Sequence, residues 1–152
     1  MKKKLYGVLV AILAMNLVGC VAETQEESKE NAQIVAEGFM TAYTSCDKAA
    51  MAEYVAEGIS TEEFAKTYEW MDTCVKYDAT MSYKIGEIIL YTGEYLEEFC
   101  SKSGVPESKV DRVAAVYVDI VTVQAGQTLE RNAYLYIGLV DGDWLAVYPD
   151  NL

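Results

Sequence analysis

Between Lys29 and Ser45 the apolar side chains recur three and four residues apart, as Val35, Phe39, Ala42 and Tyr43, and the stripe runs on into Cys46. That spacing lines one face of an amphipathic helix. Asp47 stands where a side chain can cap a second, shorter helix, KAAMAEYVAE, and Gly58 can close it in a left-handed conformation. Ser60 and Glu63 have the spacing of a capping box for a third helix. In that helix Phe64, Tyr68, Met71 and Val75 share a face, and Trp70, Cys74 and Tyr77 make a neighbouring stripe.

The period changes near Ala79. Thr80–Thr92 is rich in β-branched and aromatic residues and lacks helix caps, which predicts a strand. Glu94–Lys102 returns to helical spacing, with Leu96, Phe99 and Cys100 on one side and Gly104 as the stop. Three further strands are predicted at Arg112–Gln124, Thr128–Val140 and Trp144–Pro149, joined by Ala125-Gly126 and by Asp141-Gly142-Asp143. An Asp-Gly pair between apolar runs is a hairpin signal. Helices followed by mainly antiparallel strands predict an α+β domain with the helices on one face of a sheet. Val116, Val118 and Ile120 in one strand, and Leu129, Ala133, Leu135, Ile137 and Leu139 in the next, are the side chains expected to face the helices. Parity then puts Tyr117, Val121, Val123, Tyr134 and Tyr136 on the other face. That face carries too many apolar groups for free contact with water. Either the Glu94–Lys102 helix or another protein, including a second copy, is expected to cover it, and Tyr117, Tyr134 and Tyr136 form the candidate interface.

The first twenty residues carry a different pattern. Lys2, Lys3 and Lys4 precede an apolar run from Leu5 to Val18 that ends in Leu17-Val18-Gly19-Cys20. A basic start, a short apolar stretch and small residues before a cut describe a secretory leader. The run is short of the ~20 residues that span a bilayer as a helix. The Leu-Val-Gly-Cys ending resembles the bacterial lipobox, which implies a lipid on Cys20 and cleavage just before it. The expected organisation is a leader at 1–19, a lipidated acidic tether at 20–28 that lifts the domain off the membrane, and one domain at 29–152. The location expected is the extracytoplasmic face of the cell membrane.

Charge and composition narrow the chemistry. The 152 residues include 12 basic and 24 acidic side chains, a net −12, and loss of the three leading lysines takes this to −15. Such a surface repels phosphate backbones, so nucleic acid is not an expected partner. The absence of histidine excludes Ser-His-Asp and Cys-His catalysis. The remaining thiols, Cys46, Cys74 and Cys100, match no metal spacing and form no Cys-x-x-Cys, so no metal and no cofactor is expected. They read as buried thiols, with a Cys46–Cys74 disulfide and a reactive thiol as alternatives.

The three leading helices and the ending Tyr134-Leu-Tyr-Ile-Gly-Leu-Val-Asp-Gly-Asp-Trp144-Leu-Ala-Val are similar to the nuclear transport factor 2-like superfamily. The Glu94–Lys102 helix is also similar to an insertion in lipoproteins of Gram-positive bacteria. The resemblance implies a cone in which a curled sheet wraps a long N-terminal helix; a cystatin-like arrangement is the structural alternative. Superfolds of this kind host many functions. Enzymes of the superfamily use an acid and tyrosines in the cone, and Asp119, two residues from Tyr117, is the residue that the resemblance offers for that role. Its strand face points away from the helices, so it is expected to be solvated or paired with Arg131 or Lys84, and Glu87 likewise. Phe39, Tyr43, Tyr68 and Met71 are the candidate pocket. The expected function is a non-enzymatic, membrane-anchored binding or scaffold domain. The alternatives are a cofactor-free isomerase or lyase, and a structural subunit of a cell-envelope complex.

Overall fold

A computed structural model describes residues 23–59 and 62–152. The expected leader, the expected lipid site at Cys20 and the expected cap at Ser60 lie outside the described residues. Helix α1 runs Gln25–Thr44, α2 Lys48–Ala52 and α3 Glu62–Lys76. Strand β1 (Thr80–Tyr91) leads into α4 (Glu94–Ser103), a 3-10 turn at Glu107–Lys109, and then β2 (Arg112–Gln124), β3 (Gln127–Val140) and β4 (Asp143–Asp150). The strands form one antiparallel sheet in the order β1-β2-β3-β4, open and curled, with helices packed on it. This is the α+β class read from the sequence.

The expected parity of β2 and β3 holds. Val116 pairs with Leu135 and Val118 with Ala133, and all four join Ile120, Ile137, Phe39, Met40, Tyr43 and Met71 in the core beneath the N-terminal helices. A one-residue slip would send all of these to the opposite face. Ala125 and Gly126 (φ 49° and 78°) and Asp141 and Gly142 (φ 52° and 91°) turn the two hairpins with both central residues left-handed, the geometry that matches strand twist. Register shifts in β1 between Ile85 and Ile88 and in β4 opposite Tyr136 and Ile137 mark bulges, which bend a sheet.

Four expectations need correction. The first helix starts earlier than expected: Thr24 caps α1, accepting from Glu27 N at 3.2 Å while the Glu27 carboxylate accepts from Thr24 N at 2.7 Å. This capping box starts the helix at Gln25 rather than after Ser28. Helix α2 ends at Ala52 rather than Glu57, because Tyr54–Ala56 instead extends along the outer edge of β4. Ala146 N donates to Tyr54 O at 2.7 Å and Ala56 N to Ala146 O at 3.0 Å. That contact blunts an edge strand that would otherwise be open. In α3 the buried residues are Phe64, Thr67, Met71 and Cys74, while Val75 is exposed; the helix is rotated from the expected stripe so that Cys74 meets Met81. Leu129 is exposed because it lies at the end of the sheet, away from the core cluster.

The other face of the sheet has a core of its own. Leu96, Phe99 and Cys100 of α4 pack with Val105, Val110, Val113, Val140 and Val147, and with the half-buried Tyr91, Tyr136, Leu145 and Tyr148. The Glu94–Lys102 helix is thus one answer to the apolar second face.

Gly38 gives a test of how tightly the loop beyond α2 is held. A Cβ added there would lie 2.4 Å from the Tyr54 ring. Displacing that ring costs about 1–3 kcal/mol, while alanine gains about 1 kcal/mol over glycine inside a helix, so Gly38→Ala is expected to lower stability by at most about 2 kcal/mol, read as a lower denaturation midpoint with an unchanged slope.

Candidate functional site

Where α4 crosses the second face of the sheet, four aromatic rings meet. Phe99 stacks on Tyr136 with centroids 4.6 Å apart. Tyr91 and Tyr148 meet Phe99 edge-on at 6.3 and 6.2 Å, and both approach Tyr136, at 6.0 and 5.9 Å. The order follows from the strand register. Tyr136 of β3 pairs with Tyr148 of β4, and the helical spacing of α4 brings Phe99 down over them. Beside this cluster lies a half-open cleft of about 300 Å³ lined by Tyr91, Tyr95, Phe99, Tyr136, Tyr148 and Asp150, with Glu98 and Lys102 at the rim. Lys102 is held by Glu98 at 2.5 Å, one helical turn away.

The surroundings of Tyr136 and Tyr148 hold these two phenols in the neutral form. Burial pushes the Tyr136 hydroxyl far above the ordinary phenol range, and Tyr91 and the Asp150 carboxylate add to it. Burial, then the Glu63 and Asp150 carboxylates, raises Tyr148 as well. The wall therefore offers ring faces, the protonated Tyr136 and Tyr148 hydroxyls, which can donate and accept, and one carboxylate that accepts. That set can orient a small ligand with an apolar face and hydroxyl or amine groups.

The sequence-predicted residues divide between several places. Tyr136 belongs to this cleft. Tyr117 and Tyr134 lie further along the same face, 5.5 Å apart edge-on, and Tyr134 is 37 % exposed. Asp119 shares their face, and burial followed by the Asp119 carboxylate raises the Tyr117 phenol. Lys84 sits opposite Asp119 across the β1–β2 ladder. Arg131 does not pair with Asp119: parity turns it to the helix side, where its guanidinium lies 4.8 Å over the Trp70 ring and donates to the Tyr43 hydroxyl. Glu87 lies at the β1 bulge and borders a separate cleft with Glu23, Lys29 and Arg112.

The candidate pocket of Phe39, Tyr43, Tyr68 and Met71 is core. Phe39, Tyr43 and Met71 have no exposed surface, and Tyr68 is half-buried against them. Such rings at helical spacing fill the space between α1, α3 and the sheet. The Cys46–Cys74 bridge is not formed. Both thiols border one cleft between the end of α1 and the start of β1, yet they are free, as is Cys100. The Cys74 thiol instead lies 3.7 Å from the Met81 sulfur, and burial raises all three thiols above their ordinary range.

Sequence reasoning missed Tyr91, Tyr95, Tyr148 and Asp150. The apolar stripe of α4 and the tyrosine face of β3 were both legible, but their meeting depends on how α4 folds back from Gly93. It also missed the grip on the chain's N-terminal end. Arg112 Nη1 donates to Glu23 O at 3.0 Å and to the buried Ser28 hydroxyl at 2.8 Å. Trp144 Nε1 donates to the Glu23 carboxylate at 3.2 and 3.3 Å, and Asn31 donates to it as well. The Thr24-x-x-Glu27 spacing was the available signal.

No family model and no curated protein matches this chain. Among solved structures it is similar to the crystal structure of the intermembrane space region of the chloroplast protein ARC6. The match has 6% identity and a TM-score of 0.45, over 80% of this chain and 94% of that one.

The raised phenols set a pH limit. Above the ordinary phenol pKa of about 10 the unfolded chain releases protons that folded Tyr136 and Tyr148 retain, so folding loses free energy as pH rises. Their contribution is present in full below about pH 10 and declines above it. Denaturant midpoints should fall above that pH, and Tyr148→Phe should weaken the fall.

Proposed function

We propose that the protein is a membrane-anchored extracytoplasmic lipoprotein whose α+β domain binds a small ligand in the cleft between α4 and the sheet, without catalysing its conversion. The cone-shaped nuclear transport factor 2-like architecture is part of this proposal, supported by the leading helices and the closing hairpin around Trp144. The anchor is supported by the Leu17-Val18-Gly19-Cys20 ending after three lysines and an apolar run. Among the described residues no helix is long and apolar enough to cross a membrane. The observation that carries the binding function is the cleft, with phenol hydroxyls, ring faces and the Asp150 carboxylate converging from α4, β1, β3 and β4.

The anchor is tested first. Cys20→Ala should abolish acylation and leader cleavage, read by mass spectrometry and fractionation; a processed, membrane-retained Cys20→Ala protein contradicts it. The soluble domain from residue 21 onward is then titrated by NMR with a panel of small aromatic, polyol and amine compounds. Shifts should gather at Tyr91, Tyr95, Phe99, Tyr136 and Tyr148. Tyr95 is 71% exposed at the rim, so Tyr95→Ala should weaken binding several-fold and leave the fold intact. Shifts gathered elsewhere, or turnover of a bound compound, contradict the reading.

A second reading is favoured by the open edge-on pair of Tyr117 and Tyr134. If that face is an interface with a second copy or an envelope protein, a charge at Tyr134 should disrupt association. Sedimentation of Tyr134→Glu against the unaltered domain reads this, with a monomeric unaltered domain as the outcome against self-association.

A further inference from the structure

The grip on Glu23 fixes where an N-terminal anchor leaves the domain. Glu23 is held twice, through its carbonyl by Arg112 and through its carboxylate by Trp144 and Asn31. Arg112 also holds Ser28, which is fully buried in the first turns of α1, and the Thr24–Glu27 capping box locks the residues between. Glu23 is therefore part of the folded body.

Only Val21 and Ala22 lie between Glu23 and Cys20. Three Cα–Cα steps of 3.8 Å reach at most about 11 Å, whatever their conformation. The polar layer of a bilayer is about 5–8 Å deep on each side. A lipid on Cys20 thus leaves no room for the domain to stand off.

The place of exit decides which part faces the membrane. Arg112, Leu139 and Trp144 form one row across β2, β3 and β4 at the end of the sheet that carries the Asp141-Gly142 turn. The opposite end carries the Ala125-Gly126 turn. Strand β3 joins them over 14 residues, so at about 3.3 Å per residue the two turns lie roughly 40–45 Å apart.

We infer that the lipid on Cys20 seats the domain directly on the bilayer surface, with the β3–β4 turn facing the lipid and the β2–β3 turn held far from it. This rests on the anchor proposed above. The partner is the headgroup surface, reached through the short link and without insertion, because the facing turn carries the exposed Asp141 and Asp143 and charged carboxylates resist entry into hydrocarbon. The orientation brings the aromatic cleft into the membrane-proximal half of the sheet. Tyr136 lies three residues from Leu139, about 10 Å along β3.

The full-length acylated protein tests this in phosphatidylcholine vesicles carrying a headgroup-linked acceptor dye. A donor dye is placed on Asp143→Cys or on Gln127→Cys, exposed positions at opposite ends of the sheet, Asp143 paired with the last residue of β3 and Gln127 its first. The background carries Cys46→Ala, since Cys74 and Cys100 are only 1% and 7% exposed. Energy transfer should be several-fold stronger from position 143 than from position 127. A twelve-residue Gly/Ser spacer inserted between Ala22 and Glu23 leaves the folded body untouched and should erase most of that contrast. Equal transfer from the two positions without the spacer, or a contrast that survives it, overturns the orientation. Mass spectrometry of the same sample separates the two ideas: a Cys20 without its lipid overturns the anchor and the orientation together, whereas an acylated protein with equal transfer overturns the orientation alone.

Discussion

Strands β2 and β3 carry apolar side chains on both faces, and the rest of the molecule is arranged around that constraint. Val113, Ala114, Ala115 and Val116 are four consecutive residues with no exposure, a run that a sheet open to water on one side would not support. Ala114, Val116, Val118 and Ile120 turn to α1 and α3, and Val113 turns to α4 with Val147 and Phe99. Each fully buried aliphatic or aromatic side chain contributes about 1.5–3 kcal/mol, so an uncovered face would forfeit much of the stability of a domain this size. The N-terminal helices and α4 are the two covers. The strand pair between them tolerates no change of register.

The covers differ in kind, and the difference creates the cleft. Helix α1 is 20 residues long and fills its face with Phe39, Met40 and Tyr43. Helix α4 has 10 residues and covers only the end of the sheet near Tyr91, Tyr136 and Tyr148. Past its reach the rings of Tyr117 and Tyr134 are half open, and at its margin the aromatic cluster borders a cleft next to Asp150. The same half-cover explains the raised phenols: their hydroxyls are withdrawn from water but still sense Asp150 and Glu63. Arg131 meets the opposite situation on the long-helix side, where Trp70 and Tyr43 surround its guanidinium.

Two segments from the N-terminal half of the chain close edges of this arrangement. Tyr54–Ala56 runs along β4, and Glu23 is drawn in over the end of the sheet by Arg112 and Trp144. Neither contact is local in sequence. Trp144 lies 121 residues from Glu23, and the two meet because α1 runs along the sheet in the same direction as β2 and starts at the row where β4 begins.

The sequence by itself determined the element types, the turn chemistry, the parity of β2 and β3 and the α+β class. These rest on local rules: a period of 3.6 or 2, left-handed Ala-Gly and Asp-Gly turns, and side chains that alternate across a strand. It also shows three lysines, an apolar run ending at Cys20 and the lack of histidine, which need no fold to read. Only the tertiary structure decided that Phe39, Tyr43 and Met71 are core rather than pocket walls, since a buried ring and a pocket ring have the same spacing along a helix. It also decided that Cys46 and Cys74 remain free thiols, that Arg131 turns from Asp119 to Tyr43, and that Tyr91, Phe99, Tyr136 and Tyr148 share one cluster. Each of those outcomes depends on how far a cover extends over a sheet and which edge it reaches, and distances of that kind are set by packing between elements remote in the chain.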